Sequence, residues 1–468
     1  MSYKPLPLTG DPYANTEEPE MDGVSVSVID AYVNELGHTV KRPGLDEWAD
    51  LGTSAKVDGL YWWEEQDVVL SVSNGRVFKH TDFTGTATEL LGATLSAGSR
   101  VTFANDRTKA VMASGANMVH TDLATLTQMA DPQAPTAVSH VAYLDGYVLA
   151  NTINSRDAQF SDPTDITAWV SVDTFRKAGK PDDMIALNEG WSELLLSGKR
   201  STEVWYNDGV TPFVRRSNGL IDRGCSAAHT VTRVGNDWVW LDEKRRFVKL
   251  DQRAPTHISF PYHKLIQTFN AVDDAVSDNI EVAGFPLYVT SFPSAMRTLA
   301  YNYQKDGWAE WGYWNTGTAS YEAFRGNCYC YAKLWNKHLI GDRANGKIYT
   351  MSRSTYTDNG DPIRTLRRTG FISHGTSALK TSNEIVFRLK RGQGNADVSD
   401  PVMTLRWRNH NGAWSNERQL ALGAVGDHYL EARTHRLGQY RYRQYEICHT
   451  DPCDFILVDA QEDVEVLE

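Results

Sequence analysis

HVAYLDGYVLANTINSRDAQFSDPTDITAWVSVDTFRKAGKPDDMIALNEGWSELLLSGKRSTEVWYNDG, residues 140 to 209, decides the fold. Short apolar runs such as Val141-Ala142-Tyr143-Leu144 and Met184-Ile185-Ala186-Leu187 are cut by Asp145-Gly146, by Asn188-Glu189-Gly190 and by Asn207-Asp208-Gly209. Asp, Asn and Gly tolerate the positive φ of tight hairpin turns, so each cut predicts a reversal between antiparallel strands. Strand, turn, longer strand, turn and third strand follow in order, and the pattern restarts at Met184.

The same unit recurs on both sides. First strands are expected at Leu60–Trp63, Val101–Ala104, Val141–Leu144, Met184–Leu187, Val231–Val234, Ile280–Ala283 and Glu322–Phe324. Third strands read RVFKHTD from Arg76, MVHTD from Met118, AQFSD from Ala158, TEVWYND from Thr202, RFVKLD from Arg246, TLAYNY from Thr298 and KIYTMS from Lys347. Repeats of several short strands every ~40 to 50 residues are the signature of propeller blades, because a small sheet buries its faces only by stacking on neighbours in a closed ring. An all-β propeller of about seven blades is therefore expected over residues 57–355, against the alternative of paired sandwiches whose hairpins imitate a period. The alternating run Val24–Val28 is a candidate for the closing strand, and Tyr262–Val276 for one short helix.

Residues 1–56 read as an extended N-terminal arm and first strands: the opening MSYKPLPLTGDPYANTEEPE holds four prolines and no secretory signal. After Tyr356 the pattern changes to longer strands: Glu384–Lys390, Val402–Arg408, Tyr440–Ile447 and Asp454–Val458. Residues 365–468 are expected to form an antiparallel β-sandwich-like domain, with the acidic DAQEDVEVLE as an edge strand or solvated tail.

The chain has 468 residues, a formal net charge of -12 and five cysteines. That odd, sparse cysteine count argues for folding in a reducing cytoplasm, and the acidic balance argues against tight wrapping of nucleic acid. No run is long and apolar enough to cross a bilayer as a helix.

Catalytic and metal constellations are weak. Ser161-Asp162-Pro163-Thr164-Asp165 with Trp169 faintly resembles the Asp-box of sialidase-type blades, but occurs once and lacks the glycine of its turn. Local side-chain hydrogen bonding explains it as a structural turn. Cys328-Tyr329-Cys330 and Cys448-His449 with Cys453 lack the two well-spaced pairs of structural zinc. No nucleophile elbow, Walker loop or dinucleotide-binding glycine pattern is present. Two modest basic groups remain, the arginines of Ile363–Thr369 and Arg441-Tyr442-Arg443, which suit solvated faces or partner contacts. The expectation is no enzyme activity, no catalytic or metal residues and no cofactor.

The run from Asp145-Gly146-Tyr147 through Pro181-Asp182 and Ile185-Ala186-Leu187 into LLLSGKRSTEVW (194–205) resembles the packaged-DNA stabilisation family of P22-like short-tailed phages, also called the tail nozzle or tail accessory factor. Arg42-Pro43-Gly44 is similar to the family's early proline-glycine element. The resemblance covers most of residues 40 to 355. It implies a structural virion protein whose copies form a ring, six in the family, below the portal and its adaptor ring. That ring would extend the DNA channel, retain packaged double-stranded DNA without sequence-specific binding, and dock tail fibres or tailspikes and a needle or plug. The rival expectation is a receptor-binding or polysaccharide-degrading tail propeller.

Overall fold

The computed structural model describes residues 3–9, 27–210, 212–251, 253–410, 412–427 and 431–467. Seven four-stranded antiparallel units follow one another round a β-propeller. The first blade shows the plan: Val57–Trp63, Val68–Ser73, Arg76–His80 and Thr88–Leu90 pair in sequence order. Blades two to five repeat it between Thr102 and His257, and the sixth runs from Val276 to Asn315.

The second strand of a blade is buried on both faces, as in Val68–Ser73 and Asp237–Leu241. Such strands read as continuous apolar runs rather than alternating ones. The fourth strand is the outer edge: in Trp169–Arg176 and Val214–Ile221 most residues face water, which is why a three-strand unit is what the sequence displays. Between each pair of neighbouring blades lies a separate apolar cluster. Trp63, Leu70 and Met112 join the first to the second, and Leu195, Trp240 and Val248 join the fourth to the fifth.

The turn chemistry holds at two sites and moves at a third. Asn74-Gly75 and Asp145-Gly146 have φ of 51° and 75°, and of 51° and 95°, as a two-residue hairpin turn demands. Asn188-Glu189-Gly190, expected as a reversal, instead completes the strand Met184–Gly190. The turn falls on Trp191 and Ser192, with φ of 53° and 60°. Trp191 accepts that strained conformation while its ring meets Trp238 edge-on and lies under Arg233.

The seventh blade starts at Gly326–Ala332, not at Glu322–Phe324; Ser320–Ala323 pairs back onto the sixth blade's Gly307–Asn315. Its outer strand is Gly44–Asp50, which pairs antiparallel with Lys347–Ser352 and closes the ring. The expected closing strand does something else. Residues 24–26 of it lie outside the described residues, and Ser27–Ile29 joins the sixth blade to the C-terminal domain, parallel to Gly307–Asn315 and antiparallel to Thr365–Arg368. The short helix sits at His263–Gln267, where Ile266 plugs the cluster between blades five and six.

The C-terminal part is a sandwich. One sheet orders Ala31–Val33, Thr39–Lys41, Ile456–Val466, Lys380–Leu389 and Ala432–Tyr440, with Tyr3–Pro5 on Ile456–Val466. The other orders Ser27–Ile29, Thr365–Arg368, Arg443–His449, Val402–Asn409 and Arg418–Ala421. Ile385, Phe387, Met403, Leu405 and Ile447 fill the space between, together with Leu6 and Leu8 from the N-terminal arm. Two expectations are corrected here. Tyr440–Ile447 is not one strand but spans the turn at which the chain crosses from Ala432–Tyr440 in the first sheet to Arg443–His449 in the second. The acidic C-terminus is an interior strand, paired on both sides, with Glu462 wholly buried. Burial alone would push its carboxyl up, but hydrogen bonds from His374, Ser382 and Tyr445 outweigh that and hold it below the usual range.

Candidate functional site

The Asp-box-like segment is consumed by its own turns. Asp162 Oδ1 accepts from Thr164 N at 2.7 Å and from Thr164 Oγ1 at 2.6 Å. Asp165 Oδ1 accepts from Thr167 Oγ1 at 2.6 Å and Lys109 Nζ at 2.9 Å, and these bonds draw its pKa down to about 2. Both are exposed anions in Asx turns, a structural arrangement.

All five cysteines are buried thiols. Cys328 and Cys330 pack in the cluster between the seventh and first blades, and burial pushes the Cys328 thiol up to about 12. Cys453 Sγ lies 3.5 Å from His449 Nε2, while Cys448 Sγ accepts from Arg364 Nε at 3.1 Å on the opposite face of the strand. Among the described residues no group of three or more Cys, His, Asp or Glu is placed to hold a metal.

The propeller axis is bridged by side chains. Arg100, at the start of the second blade's inner strand, donates to Asn327 O at 2.5 Å and to Asp278 Oδ1 at 2.6 Å, reaching the seventh and sixth blades. His140 and His229, from the third blade and the approach to the fifth, stack with centroids 4.7 Å apart. Burial lowers His140 to about 4, and burial with His140 and Arg100 nearby keeps His229 well below its ordinary value. Both rings are therefore neutral near pH 7. Beyond them a polar cavity of about 460 Å³ opens between Glu65, Asn105, Tyr143 and Glu189.

Arg42 is the joint between propeller and sandwich. Only 1% exposed, it donates to Asp30 Oδ1 at 2.6 Å, Asp358 Oδ1 at 2.9 Å and Gly312 O at 2.8 Å. Asp30 lies beside the bridging strand, Gly312 in the sixth blade, and Asp358 just past the seventh. Gly44 is required beside it, because a Cβ there would come within 2.5 Å of Thr357 O and 2.6 Å of Thr355 O. That gives Arg42-Pro43-Gly44 a structural reason.

The two basic groups of the sequence do not meet as one patch. Arg367 and Arg443 point inward; Arg443 donates to Asn409 Oδ1 at 2.7 Å and stacks 4.1 Å from the Tyr440 ring. Arg441 donates to Ser377 O at 2.7 Å. Arg364 and Arg368 instead join Arg406 and Arg408, which the sequence reading passed over, on the outer face of the second sandwich sheet. Glu446 accepts from Arg368 Nε at 2.7 Å and Arg406 Nε at 2.6 Å. Arg368, Arg406 and Arg408 all lie about the ring of Trp414, at 5.3, 4.8 and 5.1 Å. Arg364 stacks 4.3 Å from Trp314. The signal was available: inward Met403 and Leu405 put Arg406 and Arg408 outward by strand alternation.

A closed propeller with an attached sandwich defines a β-propeller protein. The family model described as Bacteriophage P22 Gp10, beta-propeller, matches residues 25–356, and the chain belongs to that family. It is a structural protein of a phage tail. Among solved structures, "YCF48 bound to D1 peptide" is 11% identical, with 70% of this chain and 97% of that chain covered at a TM-score of 0.41. "YCF48 from Cyanidioschyzon merolae" is 8% identical, covering 66% and 98% at 0.41. The N-terminal domain of Nup159 is 9% identical, covering 70% and 99% at 0.41. These likenesses are too distant to bear on function. No curated protein sequence matches the chain.

Proposed function

We propose that copies of this chain, six by family resemblance, form the nozzle ring of a short-tailed phage. The ring sits on the portal–adaptor complex, extends its channel, retains packaged DNA and docks fibres or spikes and a needle or plug. Assembly takes place in the host cytoplasm. The observation that carries this reading is the family match over the whole closed propeller.

The axis geometry supports one refinement. Arg100, His140 and His229 bridge the centre of the propeller, leaving no passage for a double helix whose major groove alone is about 12 Å wide. The channel of the ring therefore lies between copies and not within one propeller. A net charge of -12 per chain favours DNA passage without adhesion, because like charges repel. It also opposes unassisted closure of the ring, which the adaptor ring overcomes by holding neighbours at high effective concentration.

The protein acts in this reading without catalysis. Electron microscopy of the purified chain with and without a portal–adaptor ring tests it. Rings with an axial channel, formed on the adaptor, are expected; a chain that ignores the adaptor, or releases reducing sugar from host polysaccharide, overturns the reading.

A further inference from the structure

The chain is acidic as a whole, yet one face is not. On the outer side of the Thr365–Arg368, Arg443–His449 and Val402–Asn409 sheet, Arg368 and Arg406 hold the carboxylate of Glu446, with Arg364 on Cys448 and Arg408 on Gln444 beside them. Arg368 and Arg406 keep 24% and 28% of their side chains exposed. Arg408 donates from Nε to Gln444, while its Nη2 is buried without a hydrogen-bond partner among the described residues. Stacking on Trp414 fixes the guanidinium planes, so they are preorganised for planar anions at little further entropic cost.

The complementary surface is on the same chain but out of its own reach. Asp82, Asp122, Asp145, Asp162 and Asp165 are exposed in turns on one face of blades one to three. Asx-type bonds hold Asp82, Asp122, Asp162 and Asp165 ionised, as their lowered pKa values show. In a ring of seven blades the second and third stand across from the sixth, and the sixth is the blade to which the arginine-bearing sheet is joined. Basic face and acidic turns thus sit at opposite ends of one molecule.

We propose that the arginine–tryptophan face receives the acidic turns of blades two and three of a second copy. Such a contact is heterologous, head to tail, and the joined pair keeps one free face of each kind, so repetition closes a ring when the rotation per step allows it. Carboxylates entering the face would meet the partly exposed forked guanidinium donors of Arg368 and Arg406. The inference rests on the ring reading and adds the chemistry by which neighbours recognise each other.

Sedimentation of the full chain at tens of micromolar in low salt tests it. The wild type is expected to sediment above monomer, and salt should weaken its association, the opposite of what net repulsion alone would give. R368E/R406E should lose self-association. D122N/D162N/D165N, which keeps the side-chain acceptors of the turns, should weaken association about tenfold or more and controls for misfolding of the arginine variant. The two variants mixed should form a heterodimer and stop there, since each supplies the face that the other lacks. A monomeric wild type, association that rises with salt, or variants that associate like wild type overturns the proposal. So does binding of a short DNA duplex by wild type but not R368E/R406E with self-association unchanged, which would make the face a nucleic-acid site. Rings seen on the portal–adaptor complex in any of these cases leave the nozzle reading standing.

Discussion

The propeller and the sandwich solve the same problem in different ways. Blades one to six pair strands adjacent in sequence, and each cluster between blades is built from hydrophobic side chains such as Leu70, Met112 and Trp240. The sandwich gathers strands from both chain ends: Tyr3–Pro5 and Thr39–Lys41 pair along one edge of Ile456–Val466 and Lys380–Leu389 along the other. Its joints are buried charges, Arg42 with Asp30 and Asp358, and Glu462 with His374, Tyr440 and Tyr445. Local repetition needs only apolar burial, whereas joining distant segments in one register is done here with partners that fit only one way.

Removing the charge at the joint should produce the largest effect. Arg42→Met leaves Asp30 and Asp358 buried without their cation, which costs roughly 3–5 kcal/mol. Loss of the joint should split thermal unfolding into two transitions, read by calorimetry; a single transition at the wild-type temperature would remove the distinction drawn between the two regions. In the propeller, Trp240→Ala opens a cavity where the indole is fully buried and donates to Gly224 O at 2.9 Å. That should cost about 3–5 kcal/mol and lower the urea midpoint, but in one cooperative transition.

Acid acts on the propeller axis. His140 titrates near 6.5 when unfolded and at about 4 when folded, so the unfolded chain binds the proton more readily. Its contribution is fully present above pH 6.5 and is lost as pH falls toward 4, about 3 kcal/mol in all. His140→Phe, which stacks but cannot charge, should flatten the fall in melting temperature between pH 7 and 4.5; an unchanged slope would assign acid sensitivity to other groups. The smallest effect is a gain: Ser192→Gly relieves a left-handed residue at φ 60° and should add up to about 1 kcal/mol, seen as a higher melting temperature.

Much of the propeller was legible because its signals are local. All seven third strands stand where their motifs place them, from Arg76–His80 to Lys347–Ser352. The fourth strands were not legible, since a solvent-facing edge such as Val214–Ile221 carries no apolar pattern. Of the candidate sites, Asp162 and Asp165 read correctly as turn formers. Of the two basic groups, Arg367 and Arg443 are buried and not solvated, because strand alternation sends Arg367 inward and Arg368 outward, while Arg406 and Arg408 come from another strand.

By itself, then, the sequence determined the repeating unit, a ring of about seven blades and the shift to longer strands after Tyr356. Each follows from hydrophobic period and turn residues within a few dozen positions. Only the tertiary structure decided which strand closes the ring, that an acidic C-terminus is an interior strand, and that Arg42 joins the two regions. Those outcomes depend on partners hundreds of residues apart, such as Arg42 with Asp358 and Gly44 with Ser352, whose pairing energy exists only after the chain has folded.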